Sequence, residues 1–147
     1  MPEEGPIERA REDEREGRSP STQAGEFVRE EMEHIREGEH GARSPEQAIA
    51  IGLSKARRAG VKLPPPKRGK ARTKRQAKRD LAKGRRPKKP SRRRSRAVRN
   101  ALKRETRRSA SRRALSQHAK SAARRRSAAS RSAAAKKAAR TRKRHRH

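Results

Sequence analysis

The sequence predicts a mostly disordered chain that carries one small all-α helical hairpin, at about residues 23–60. Three observations lead there. Apolar residues make up 27% of the 147, charged residues make up 43%, and Phe27 is the sole aromatic. Low hydrophobicity with high net charge leaves too little burial to offset chain entropy. Nearly all large apolar side chains fall between residues 23 and 63, and low-complexity Lys, Arg, Ala and Ser follow Pro64, Pro65 and Pro66.

The net charge of +31 is unevenly divided. Residues 1–54 hold 14 acidic and 7 basic side chains, whereas residues 55–147 hold 40 basic and 2 acidic ones, Asp80 and Glu105. An acidic head joined to a basic arm points to a polyanion partner such as DNA or RNA, and less to an anionic membrane. With no cysteine, disulfides and thiolate metal sites are excluded. The acidic start MPEEGPIERARED is not expected to act as a secretory signal, and no apolar run approaches the roughly 18 residues of a membrane span. The expected location is the cytoplasm and nucleoid, or the nucleus of a eukaryotic host.

Residues 1–22 are mixed in charge and expected to be disordered, with only transient helix from Glu8 to Glu16 through pairs such as Arg9–Asp13. Residues 23–63 form the hairpin. In its first helix Val28, Met32 and Ile35 share a face with Ala24 and Phe27, and Glu26, Glu30, Glu33 and Glu37 make the opposite, solvated face. Ser21 or Thr22 is the expected cap and Gly38 the left-handed stop. The second helix opens on Ser44-Pro45-Glu46-Gln47, a capping box with proline at the first helical position. Its stripe is Ile49, Leu53 and Ala56, with Ile51 to one side; Gly60 ends it and Val61 packs back on Ala56. A two-helix unit of this size is marginal alone, so it is expected to self-associate, dock on a protein partner or order only partly. Residues 64–66 are a stiff proline break, and residues 67–147 a basic low-complexity tail.

The stretch EFVREEMEHIREGEHGARSPEQAIAIGLSKARRAGVKLPPP, about residues 25–66, resembles a segment of small basic bacterial proteins of an uncharacterised, domain-of-unknown-function family. There an acidic helix precedes a QAIAIALS-like helix. The resemblance implies the two-helix architecture and no activity. In composition alone, the tail resembles bacterial histone-H1-like proteins.

The tail holds 36 basic and 2 acidic residues. Lys and Arg contacts to phosphate set affinity without carrying sequence information. Single-strand readers stack bases on aromatic side chains, and the tail has none. Sequence-independent binding is therefore expected, with duplex DNA favoured over RNA, through Lys67, Arg68, Arg85, Arg86, Lys88, Lys89, Arg92, Arg93, Arg94, Arg107, Arg108, Arg112, Arg113, Arg124, Arg125, Arg126, Lys136 and Lys137. Such binding would coat and compact DNA in a nucleoid-associated, histone-H1-like way. Charge repulsion should keep the free tail uncoiled, with helix forming around Arg96–Ser116 on DNA. Serines beside arginine, among them Ser91, Ser109 and Ser127, would weaken binding if phosphorylated.

Other chemistry is weakly supported. His34 and His40, six apart across Gly38, match a metal pair poorly, and His145 and His147 alternate at the terminus. The Glu cluster of the first helix lacks an accompanying nucleophile, so neither an enzyme nor a cofactor is expected. It is instead a candidate to shield the tail from phosphate. Two rival functions are an RNA- or ribosome-associated assembly protein and a membrane-active cationic protein; the second lacks the apolar helix face it needs.

Overall fold

The computed structural model describes residues 4–86 and 88–146 and shows a chain that is helical almost throughout. Seven α-helices form among these residues: α1 (Glu4–Arg15), α2 (Pro20–Glu37), α3 (Pro45–Arg58), α4 (Ala71–Arg85), α5 (Arg92–Lys103), α6 (Arg112–Arg124) and α7 (Ala128–Arg144). A 3-10 turn, Arg108–Ala110, lies between α5 and α6. The chain divides into two compact units, Met1–Ser111 and Arg112–His147. A mostly disordered chain with one hairpin is thereby overturned: the hairpin is present as α2 and α3, but it is the centre of a larger helical unit. Composition misled because it counts apolar residues, whereas Ala, Arg, Lys and Gln rank among the strongest helix formers. The expectation that charge repulsion keeps the free tail uncoiled fails as well, since α5 already covers Arg92–Lys103.

In the first unit, α1 packs on α2, α2 on α3, and α3 on α4. Residues 4–15, expected to be disordered, are tied down as α1. Arg9 reaches across to Glu26 at 2.8 Å and Glu30 at 3.3 Å rather than pairing with Asp13. Phe27 is buried with Ala10, Ala24, Ala56 and Val61, and Ile7, Leu53 and Leu63 close the cluster. The cap of α2 is Ser19, two residues earlier than Ser21: its Oγ accepts the Thr22 N–H, and Pro20 takes the first helical position. Gly38 ends α2 at φ +84° as expected. In α3, Ser44 Oγ accepts the Gln47 N–H at 3.2 Å, while Gln47 Oε1 accepts from Arg43 N, one residue before the usual capping-box partner.

The face that α3 buries is also different. Ala48, Gly52 and Ala56 are buried, while Ile49, Ile51 and Leu53 are half-buried. Small residues at i, i+4 and i+8 let α2 and α3 approach closely: a Cβ added to Gly52 would stand 2.7 Å from Val28 Cα. At its C-terminus the Val61 N–H bonds Ala56 O and the Gly60 N–H bonds Arg57 O, a Schellman motif. Arg57 is buried there and donates to the carbonyls of Leu63 and Pro64, both at 3.1 Å, fixing the proline segment. Burial lowers its pKa below the usual arginine value.

One of the two tail acids fastens α4. Asp80 is 2% exposed and accepts from Ser54 Oγ of α3 at 2.8 Å and from Gln76 Nε2 at 3.1 Å. Asp80→Ala would strand both donors. It should lower the unfolding free energy by about 1.5–3 kcal/mol in urea titrations, the range for hydrogen bonds to a charged group.

A second acid is held at a cost. Asp13 of α1 is buried and its pKa is raised, first by desolvation and then by Glu26; its Oδ2 meets no hydrogen-bond donor among the described residues. A carboxyl whose folded pKa exceeds its unfolded one destabilises the fold where it is ionised, and the penalty fades as pH falls through the folded pKa. Asp13→Asn should therefore raise the thermal midpoint at neutral pH. The gain over wild type should vanish near about pH 3, where the ordinary aspartate is itself protonated.

Past α5 the chain returns to the α2–α3 loop. Gly41 N–H donates to Leu102 O at 2.8 Å and Ala42 N–H to Thr106 O at 2.9 Å. Arg36 Nε donates to Ala110 O at 3.0 Å, and Arg107 donates to Arg36 O at 3.1 Å. Ser109 and Ala110 are buried by this docking. The second unit, Arg112–His147, holds α6 and α7; neither helix has a buried residue, and Ser127 caps α7 by accepting the Ser130 N–H at 3.1 Å.

Candidate nucleic-acid interface

A helix turns i, i+4, i+7 and i+11 onto one side, so the order of cations along α4 and α5 decides what they present. In α4 the residues facing α3 are Ala77 and Asp80, and a Cβ on Gly84 would meet Arg57 O at 2.2 Å. Arg72, Arg75, Arg79 and Lys83 occupy the outer register and all are exposed. In α5, Arg92, Arg96, Arg99 and Lys103 form one stripe, and α5 buries no residue. Ser91 caps it, its Oγ accepting the Arg94 N–H at 3.5 Å.

Every basic residue expected to touch phosphate is exposed. Lys67 and Arg68 lie in the turn before α4, Arg85 ends that helix, and Arg86 caps it. Lys88 and Lys89 lie in the link to α5, whose first turn holds Arg92, Arg93 and Arg94. Arg108 starts the 3-10 turn and Arg107 precedes it. In the second unit, Arg112 and Arg113 open α6, Arg124 closes it with Arg125 and Arg126 following, and Lys136 and Lys137 lie midway along α7.

Some are already committed. Arg107 lies over Gly38 and bonds the end of α2. Arg126 donates to Ser130 Oγ at 3.1 Å and Ser130 O at 3.2 Å, and Arg125 to Ser121 O at 3.4 Å. Ser109 is buried, so a kinase could reach it only after the 3-10 turn undocks.

Adjacent basic pairs leave out the α4 face and most of the α5 stripe. Helical spacing is the signal that groups Arg72, Arg75, Arg79 and Lys83, and Arg96, Arg99 and Lys103. The acidic face of α2 is largely spoken for: Glu26 and Glu30 pair with Arg9, and Glu33 lies 3.4 Å from Arg29.

The fold also joins two histidines that sequence spacing did not pair. His34 of α2 and His40 of the following loop meet edge to face, with ring centroids 6.2 Å apart. Glu31, 1% exposed, lies between them and Lys55 of α3, whose Nζ donates to Glu31 Oε1. His147 lies outside the described residues.

Residues 20–68 match a family of unknown function (DUF6496). The match runs from the start of α2 to the turn before α4, and so takes in His34, His40 and the Ala48–Gly52–Ala56 contact but none of the cationic helices. No curated protein and no solved structure matches the chain. Among the described residues, no helix is long and apolar enough to cross a membrane.

Proposed function

We propose that this protein binds nucleic acid without reading its sequence, favours duplex DNA, and coats or compacts it through Lys and Arg contacts to phosphate, with no catalytic step. The observation that carries the reading is the one-signed exposure of the four tail helices. α4, α5, α6 and α7 hold seven, six, four and seven basic residues; all but Lys74 are exposed, and their one acid, Asp80, is buried on α3. A helix of 15 residues is about 22 Å long, and over that length duplex DNA carries roughly 13 charges. The seven cations of α4 can thus neutralise about half of the phosphate charge they lie along. Basic residues surround more than one side of α7, which suits contact with two duplexes at once and hence compaction.

A membrane surface is a poorer fit. Val98 is the large apolar side chain left exposed among the described residues, and interfacial helices need a broad apolar face.

The test is a titration of the full chain into a labelled duplex of about 30 base pairs, long enough for several helices to engage, beside a hairpin RNA. Equal affinity for unrelated DNA sequences, tighter than for RNA, supports the proposal. Preference for the hairpin would reassign the protein to RNA or ribosome assembly. Weak binding to both would overturn it.

A further inference from the structure

We propose that Glu31, His34 and His40 bind a divalent transition-metal ion of the zinc class, which clamps the α2–α3 loop. One ligand atom from each of the three lies within 4.8 Å of the others. Glu31 and His34 are buried and His40 is nearly so, and the histidine side chains keep 11% and 12% of their surface exposed, an edge through which an ion can enter.

Hydrogen bonding fixes what each group offers. A carbonyl only accepts, so the His40 Nδ1–H donates to Gly41 O at 2.9 Å, and Nε2, 3.1 Å from Glu31 Oε2, is the ring atom placed to ligate. That buried oxygen meets no donor in hydrogen-bond geometry among the described residues. The two atoms are close enough to share one cation, a proton or a metal ion. A zinc ion bound at about 2.0–2.1 Å from each ligand sets tetrahedral neighbours about 3.3 Å apart, close to the separation found.

His34 completes the set. Its Nε2 lies 3.2 Å from Glu30 Oε1 and 3.7 Å from Glu39 Oε2, while Nδ1 points toward Glu31 Oε1 at 3.9 Å. A ligating histidine held on its far nitrogen by a carboxylate or a backbone carbonyl is the usual supporting arrangement at metal sites. Both histidines have it, one from Glu30 and one from Gly41. No ligand separation exceeds a tetrahedral edge by more than about 1.5 Å, a gap that rotation of the His34 side chain can close. Lys55 holds Glu31 Oε1 and so leaves Oε2 for the ion. Glu30, Glu31 and Glu39 against Lys55 and Arg9 leave the surroundings negative, which favours a dication.

The place of the ion gives it a role distinct from phosphate binding. His40 and Gly41 adjoin the backbone bonds that dock Leu102 and Thr106. A metal at His40 would therefore stiffen the loop that anchors the end of α5.

Zn2+ should be titrated into the full chain by calorimetry, with competition from a chromophoric chelator. One ion should bind per chain, and His34→Gln, His40→Gln or Glu31→Gln should each weaken it by at least about tenfold. His118→Gln, His145→Gln and His147→Gln should not. Circular dichroism will show whether each variant folds. If the core variants do not, imidazole NMR of the wild-type chain decides: Zn2+ must shift the His34 and His40 ring signals. No saturable binding, or shifts confined to His118 and the terminal histidines, overturns the site. DNA binding can fail or succeed independently of this result.

Discussion

Affinity for duplex DNA should fall by about a thousandfold or more when monovalent salt rises from about 50 to about 200 mM, because each phosphate engaged releases its counterion. The more discriminating measurement is the slope of log affinity against log salt as exposed cations are removed. Arg72, Arg75, Arg79, Arg96 and Arg99 lie on the outer faces of α4 and α5, and the one side-chain hydrogen bond among them runs from Arg79 to Gln76 Oε1 at 2.9 Å within α4 itself. Changing all five to Gln should reduce the magnitude of the slope by about 4–5, at roughly 0.9 per phosphate lost, while the thermal midpoint stays put. Arg57→Gln should do the reverse: this guanidinium is buried on the Leu63 and Pro64 carbonyls, so stability falls and the slope per folded molecule does not. An unchanged slope in the five-site variant would show that these faces do not meet phosphate.

Gly52→Ala should destabilise the fold at the α2–α3 contact. The added Cβ would stand 2.7 Å from Val28 Cα and 2.9 Å from Val28 N, so backbone rather than a side-chain tip must give way. Overpacking a well-filled contact costs typically about 1–3 kcal/mol, and occasionally more. Here α2 and α3 must separate along the interface that also buries Ala48 and Ala56. The expected readout is a lower urea midpoint, with Gly25→Ala as control, since a Cβ at Gly25 meets nothing within 4 Å. Equal stability of the two variants would mean that α2 and α3 pack less closely than described.

The hairpin was legible because its signals are local: Ser44-Pro45, Gly38 and Gly60 each act within one turn. The buried face of α3 was not. Apolar periodicity ranks Ile49 and Leu53 above Ala48 and Gly52, yet close approach of two helices selects the smaller residues. Disorder in the tail follows from low apolar content and like-charge repulsion, and the helix propensity of alanine and arginine outweighs both. In the sequence Asp80 registers only as a charge, yet an acid set among cations marks where the arm touches the head, as its bond to Ser54 demonstrates. His34 and His40 were set aside by spacing rules that assume one continuous helix, whereas Gly38 folds the chain back and brings the second ring beside the first.

The docking of Leu102 and Thr106 on the α2–α3 loop has a consequence for how a polyanion is met. With α4 fastened to α3 at one end and residues 102–110 fastened at the other, α5 is a handle attached at both ends. A free arm must lose chain entropy each time it lies down on a duplex, which subtracts from its affinity. The stripe Arg92–Arg96–Arg99–Lys103 has already lost most of that freedom in folding. Its charges arrive as a fixed row, so they should bind more tightly per phosphate than the same residues on an unanchored peptide.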